Sequence, residues 1–342
     1  MIEKDINTFP YISALIVCRN EDEYIKLSLQ SVLDQDYPND RYEILVIDGM
    51  SDDETVKTAK QVTERYRAEH SKCPDTHFLY NKKKILAAGW NIGIRNSKGK
   101  YVFRIDAHSE IPSDYISKCV TTITMHDAVC VGGKIESKSI QGEDDTIAKV
   151  LSSPFGVGNS SFRVSNTEGY VDTAVYGLYD RQIFDEVGYF DESLVRNQDI
   201  ELHARIRNAG GKFYFNPEIK SIYYTRNTVK KMLRQAFQNG KWNPIVSQKT
   251  KGTLSIRHMI PFVFVLFTGI STILGFFKRK FWYLELAVLG IHLCLGLVFA
   301  KKKTNNPKEL AIIPFLFMAL HLTYGTGFLT GLFHKSEKGE KQ

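Results

Sequence analysis

The sequence predicts an α/β domain, a mostly parallel sheet with helices on both faces, followed by C-terminal transmembrane helices. Three observations predict it. Apolar runs and helix-spaced segments alternate from residue 12 to residue 106. Three long apolar segments follow residue 258. The net charge of +7 on the 342 residues sits in that tail: His258 onward has ten Lys and Arg against four Asp and Glu, while residues 1–257 have 35 against 34. A chain this long can hold one large domain and an appendage. A nearly neutral globular part argues against nucleic acid as the partner.

The elements follow in order. Ile12–Cys18 is an apolar run, and Glu21–Leu33 has helical spacing. Tyr42–Asp48 reads as the second strand, Glu54–Arg67 as the second helix, Thr76–Tyr80 as a short strand, Ile85–Asn96 as a helix and Tyr101–Asp106 as the next strand. Residues 140–170, rich in Ser, Gly and Asp, read as a long loop or lid. A strand over Tyr170–Tyr176 and helices over Arg181–Val187 and Asp199–Ala209 come next, then extended Lys212–Phe215 and Ile219–Tyr224.

Val229–Trp242 gathers Val229, Leu233, Ala236 and Phe237 on one face and Lys230, Lys231, Arg234 and Lys241 elsewhere, as in a helix at a membrane surface or one packed on a protein. Met259–Phe277, Phe281–Ala300 and Leu310–Phe333 are each long enough to cross a hydrocarbon core of ~30 Å at about 1.5 Å per residue. Lys301–Lys303 and Lys308 favour a cytosolic second loop, but Lys278–Lys280 then break the positive-inside rule. A hairpin of the first two segments that does not fully cross also fits. The domains are therefore 1–228, an interfacial segment 229–257 and a membrane region 258–334. Cys18, Cys73, Cys119, Cys130 and Cys294 show neither close pairing nor metal-ligand spacing, so reduced thiols of a cytosolic domain are expected. The first residues lack the apolar core of a signal peptide.

The chemistry concentrates at strand ends. Tyr101-Val102-Phe103-Arg104-Ile105-Asp106-Ala107-His108 runs from an apolar strand into a carboxylate and an imidazole two residues apart. In open α/β sheets, ligands bind just beyond the carboxyl ends of strands. An Asp and a His there can hold a divalent cation, and the cation a diphosphate. Taken singly, Asp48, Asp106 and Asp199 could equally cap a turn or a helix.

Four stretches, in order and spacing, resemble the inverting nucleotide-sugar transferases of glycosyltransferase family 2, and most of all the membrane-bound branch that builds succinoglycan-type exopolysaccharides. The resemblance covers roughly residues 11–242. Leu15-Ile16-Val17-Cys18-Arg19-Asn20-Glu21 matches the strand end that receives the uracil ring, with Cys18 for the usual Pro. Val46-Ile47-Asp48-Gly49-Met50-Ser51-Asp52-Asp53 is similar to the family's Asp-Asp-Gly-Ser turn; Asp48 matches the Asp that meets the uracil N–H, while Gly49 replaces the second Asp. Ala88-Gly89-Trp90-Asn91-Ile92-Gly93 matches the helix beneath the nucleotide, and Asp106-Ala107-His108 stands for Asp-x-Asp, preceded by Arg104. Tyr176–Arg181 with Phe190–Leu202 carries Asn197-Gln198-Asp199, similar to the motif that supplies the general base. A weaker fifth element, Gln238-Asn239-Gly240-Lys241-Trp242, resembles the Gln-x-x-Arg-Trp motif of processive synthases.

The resemblance implies a GT-A fold and a hexosyltransferase. Arg19, Asn20, Glu21, Asp48, Arg104 and Asp106 would bind the nucleotide-sugar donor, a UDP-sugar, with Asp106 and His108 on Mn²⁺ or Mg²⁺. Asp199 would be the base, and Gln238, Lys241 and Trp242 would meet the acceptor or the diphosphate. It implies a polyprenyl-diphosphate-linked sugar acceptor, contact with membrane lipid, and a catalytic domain on the cytosolic side of the cytoplasmic membrane. A processive polysaccharide synthase and a membrane protein whose nucleotide-sugar domain only binds are the alternatives. A dinucleotide-dependent oxidoreductase is disfavoured, because Cys18-Arg19-Asn20-Glu21 lacks the Gly-rich turn.

Overall fold

The computed structural model describes residues 9–138, 146–158, 160–224 and 228–334. The chain opens with β1 (Ile12–Cys18), α1 (Ile25–Leu33), β2 (Tyr42–Asp48), α2 (Thr55–Glu69), β3 (Asp75–Tyr80), α3 (Leu86–Asn96) and β4 (Tyr101–Asp106). It continues through β5 (Ser109–Glu110), α4 (Tyr115–Met125), β6 (Cys130–Lys138), α5 (Thr146–Leu151), α6 (Pro154–Val157), α7 (Ser161–Val164), β7 (Gly169–Val171) and β8 (Leu178–Asp180). Then come α8 (Gln182–Val187), α9 (Gln198–Asn208), β9 (Phe213–Tyr224), α10 (Val229–Lys249), α11 (Ile256–Phe277), α12 (Lys280–Lys301) and α13 (Pro307–Leu332). Two units result: residues 1–136 with 161–224, and residues 137–160 with 225–342. Residues 137–160 group with the second unit.

The first unit is a GT-A-like α/β fold on one mixed sheet ordered β3-β2-β1-β4-β8-β6-β9-β5, with β7 on β9. β1 to β4 are mutually parallel where they pair; β8 runs antiparallel to β4 and β6. All seven residues of β1 and of β2 are buried, as expected of central strands covered on both faces. Their side chains alternate between two cores. Ile12, Ala14 and Ile16 join the layer of α1, α2 and α4, whereas Leu15 and Val17 join that of α3, α8 and α9. Gly89 and Gly93 let α3 close on β1, since a Cβ on Gly89 would come within 2.6 Å of Val17 Cγ1.

Register decides where the chemistry collects. Cys18 pairs with Asp48 and Val17 with Asp106, so β1, β2 and β4 end at one level. Of the strand expected over 170–176, only β7 at Gly169–Val171 overlaps, and β8 begins after it at Leu178. Between them Tyr176 takes a left-handed φ of 49°, which no ladder accommodates. Of the expected loop over 140–170, residues 140–145 and 159 lie outside the described residues, and the rest carries α5 to α7.

In the second unit, α11, α12 and α13 are long and apolar enough to cross a membrane. The amphipathic helix expected at a membrane surface is α10, and it packs along α13 at backbone distance. A Cβ on Gly327 would lie 2.1 Å from Phe237 O, and one on Gly331 2.1 Å from Lys241 O. Small residues spaced by four are what such helix contact requires. α5 joins the same core through Ile147 and Val150, beside Met232, Leu316 and Phe317. Lys149 Nζ lies 2.5 Å from Glu309 Oε1.

Candidate active site

The turns after β1 and β2 are laced together. Asn20 N donates to Ser51 Oγ (2.9 Å), Asp52 N donates to Asn20 Oδ1 (3.1 Å) and Gly49 N donates to Cys18 O (2.8 Å). Gly49, which replaces the family's second Asp, packs closely here: a Cβ there would sit 3.1 Å from Arg19 Cβ, so the Arg19 side chain would have to shift slightly. Asp48 is buried and accepts from Ser51 Oγ at 2.6 Å and from Ser51 N. Arg19 is exposed beside this edge.

At the end of β4 the arrangement differs from the motif reading in one respect. Glu21, expected on the nucleotide, turns its carboxylate to His108, with Oε1 3.3 Å from Nδ1. A carboxylate on Nδ1 fixes the tautomer that keeps the lone pair on Nε2, as in carboxylate–histidine–metal sites. Tyr223 packs edge-on to His108 at 5.1 Å. The Asp106 carboxylate accepts from Tyr176 Oη at 3.2 Å, and that hydroxyl also contacts Ser109 Oγ. Burial, then the Asp106 charge, pushes the Tyr176 hydroxyl well up, so it remains a donor.

Tyr176 was not among the predicted site residues. Its signal is a bulky residue before Gly177 held at positive φ, a strain of about 1–2 kcal/mol. Among the described residues five non-glycines have positive φ, and Asn20, Met50, Tyr176 and Asn197 flank or contact predicted site residues. Tyr176→Phe should weaken Mn²⁺ binding in the presence of nucleotide by about tenfold or more, the usual effect of losing a residue that orients a ligand. An unchanged Mn²⁺ titration would remove that role from Tyr176.

Among the described residues no three His, Cys, Asp or Glu converge as a metal cluster. A carboxylate and an oriented imidazole still suit a cation that takes its remaining ligands from substrate phosphates and water. On that chemistry Asp106 and His108 fit Mn²⁺ or Mg²⁺.

Asp199 stands on the second residue of α9, and the capping position belongs to Asn197. The Asn197 side chain makes no capping bond, and Asp199 Oδ1 accepts from Ile200 N at 2.9 Å, so Asp199 also satisfies one first-turn donor of α9. Neighbouring Glu201 is structural, pairing with Arg205 Nε (2.8 Å) and Nη2 (2.8 Å). α3 holds the approach to α9: the Asn91 amide donates to Phe190 O and accepts from Phe190 N, both at 2.9 Å, and also meets Glu192. His203, one turn on from Asp199, is buried between Thr173 Oγ1 and Tyr179 Oη, each at 2.7 Å. Burial, with Arg104 and Arg207 nearby, keeps it neutral.

Arg104 is buried, with its guanidinium over the rings of Trp90 (4.9 Å), Phe190 (4.9 Å) and Tyr179 (5.6 Å). The first unit thus brings Asn20, Glu21, Asp48, Asp106 and His108 to one edge of the sheet, with Arg104 behind Asp106 on β4. Gln238, Lys241 and Trp242 lie half-buried on α10, in the second unit.

Known proteins match this arrangement. The profile of "Glycosyl transferase family 2" matches residues 13–188. A Methanococcus voltae protein, dolichyl N-acetyl-alpha-D-glucosaminyl phosphate 3-beta-D-2,3-diacetamido-2,3-dideoxy-beta-D-glucuronosyltransferase, is 31% identical over 94% of this chain and 97% of its own. Succinoglycan biosynthesis protein ExoA of Rhizobium meliloti (strain 1021) is 25% identical over 92% of this chain and 94% of its own. The fold is similar to that of the mannosyltransferase PcManGT from Pyrobaculum calidifontis, solved with GDP-Man and Mn²⁺, at a TM-score of 0.57 and 15% identity, covering 96% of this chain and 85% of the other. With its strand-end site and this family match over half its length, the chain belongs to glycosyl transferase family 2 and is a glycosyltransferase.

Proposed function

We propose that the chain is an inverting hexosyltransferase that moves a sugar from a UDP-sugar to a polyprenyl-diphosphate-linked acceptor in cell-surface polysaccharide synthesis. The observation that carries this reading is one unit holding a base candidate, Asp199, at the head of α9 and a ligand pair, Asp106 and His108, at the end of β4. Asn20 and Asp48 present the edge for the base and ribose. Asp106 and His108 would hold the divalent cation, which would supply charge neutralisation to the leaving diphosphate. Asp199 takes the proton of the acceptor hydroxyl as its oxygen attacks C1 from the face opposite the diphosphate; inversion needs only that one base.

Two features support a lipid-linked acceptor. Three helices can anchor the chain in a bilayer, and the Methanococcus relative is named for a dolichyl-linked phosphate substrate. Lys301–Lys303 favour a catalytic unit on the cytosolic side. Gln238, Lys241 and Trp242 are proposed for the acceptor or the diphosphate, with the Trp242 ring suited to stacking on a sugar.

The test incubates membranes containing the protein with a panel of nucleotide-sugars and follows nucleoside diphosphate release. Release that depends on an added polyprenyl-diphosphate sugar is expected, with one sugar per acceptor. No release with any donor would favour a domain that only binds. The motif at Gln238–Trp242 favours a second reading, a processive synthase, and long products from single encounters would establish it.

A further inference from the structure

We propose that Arg104 is the receptor for a carboxylate on the transferred sugar, so that the donor is a nucleotide-linked uronic acid. This rests on the glycosyl-transfer reading above and adds to it the class of sugar. The residue stands out because it is unsatisfied. Arg104 is 7% exposed, and its Nε and Nη1 are buried without a hydrogen-bond partner. Among the described residues no carboxylate pairs with it: Asp48 is engaged by Ser51, Glu201 by Arg205 and Glu192 by Lys83 and Asn91. What surrounds it is aromatic, with Trp90, Phe190 and Tyr179 all within 6 Å of the guanidinium carbon. Ring faces attract a cation, but they do not replace the hydrogen bonds its N–H groups lose on leaving water. A buried guanidinium is completed by an oxyanion, which it grips with two parallel N–H bonds.

Position says which oxyanion. Arg104 precedes Asp106 by two residues on β4 and shares its face of the sheet. Its walls come from α3 and from the segment leading into α9, not from the laced turns of β1 and β2 that form the nucleotide edge. The Tyr179 ring that lies against Arg104 also meets His203, one turn on from Asp199 in α9, so the guanidinium sits on the face of the sheet that carries the base candidate. In an inverting displacement the ground between the leaving diphosphate, at Asp106 and His108, and the base is filled by the sugar ring. A neutral hexose offers only hydroxyls there; a uronic acid offers the carboxylate that the fork lacks.

The full-length protein in detergent with Mn²⁺ is titrated with UDP, UDP-glucose and UDP-glucuronate. Wild type should bind UDP-glucuronate at least tenfold more tightly than UDP-glucose. Arg104→Met, which keeps an unbranched chain within the aromatic cage, should abolish that preference and weaken UDP-glucuronate binding far more than UDP binding; Arg104→Lys should restore part of it. Equal affinity of wild type for the two sugars would overturn the proposal, and needs no variant to fold. An equal loss of UDP and UDP-glucuronate binding in Arg104→Met would overturn it too, placing the guanidinium on the diphosphate. Binding without sugar preference sinks this inference alone, whereas no binding of any of the three sinks the UDP-sugar reading with it.

Discussion

Asp199→Asn should lower turnover by about 10²–10⁴-fold, the usual contribution of a general base, while donor binding persists. The amide is nearly isosteric. Its Oδ1 can still accept from Ile200 N, the bond that Asp199 makes at 2.9 Å. Asn197, at the N-cap position of α9, is unchanged. The Asn91 clasp on Phe190 and the Glu201–Arg205 pair hold the segment independently of residue 199. Loss of activity in a folded, donor-binding variant is therefore a chemical effect, read from kcat against donor Kd in the same preparation. Near-normal turnover would mean that another group takes the proton. Adding a small external base, such as azide or formate, is a useful second arm for Asp199→Ala: partial recovery identifies the missing function as proton removal or displacement at that place.

The central strands are legible because burial on both faces leaves them mostly apolar, with Ser13, Glu43 and Arg104 as buried exceptions. β1, β2 and β4 begin and end where their apolar runs do. Legibility fails where composition and context disagree. No element is predicted between residues 109 and 139, yet α4 runs over Tyr115–Met125. Its Val120-Thr121-Thr122-Ile123-Thr124 looks like a strand, but Thr121, Thr122 and Thr124 return their hydroxyls to carbonyls four residues back. The amphipathic pattern of α10 is plain, but its partner is set by Gly327 and Gly331, some ninety residues further on. The site shows the same division. Asp48, Asp106, His108 and Asp199 could be named because motifs report residue types at strand and helix ends. The contact of Glu21 with His108, the hold of Tyr176 on Asp106 and the aromatic cage of Arg104 depend on register and on side chains meeting through space.

His108→Ala should reduce transfer on the order of 10²-fold and weaken donor binding, with partial rescue by raised Mn²⁺. The argument starts from the pair at the end of β4. Asp106 is held by Tyr176, and His108 by Glu21 at 3.3 Å. If Asp106 and His108 are the two protein donors to the cation, removing one would halve the protein's share of its ligands, and the diphosphate would lose the charge that anchors it. Extra Mn²⁺ offsets a weaker site by mass action. Glu21→Gln is the graded companion. It keeps the size of the side chain but cannot hold the imidazole by charge, so its loss should be smaller than that of His108→Ala and should appear first as a raised Mn²⁺ requirement. Two measurements decide the matter: Mn²⁺ titration of nucleotide binding, and transfer rates with and without EDTA. Full activity of His108→Ala in EDTA would remove the metal assignment. Loss of nucleotide binding that no Mn²⁺ concentration relieves would instead make His108 a packing residue for Tyr223, which it touches at 5.1 Å.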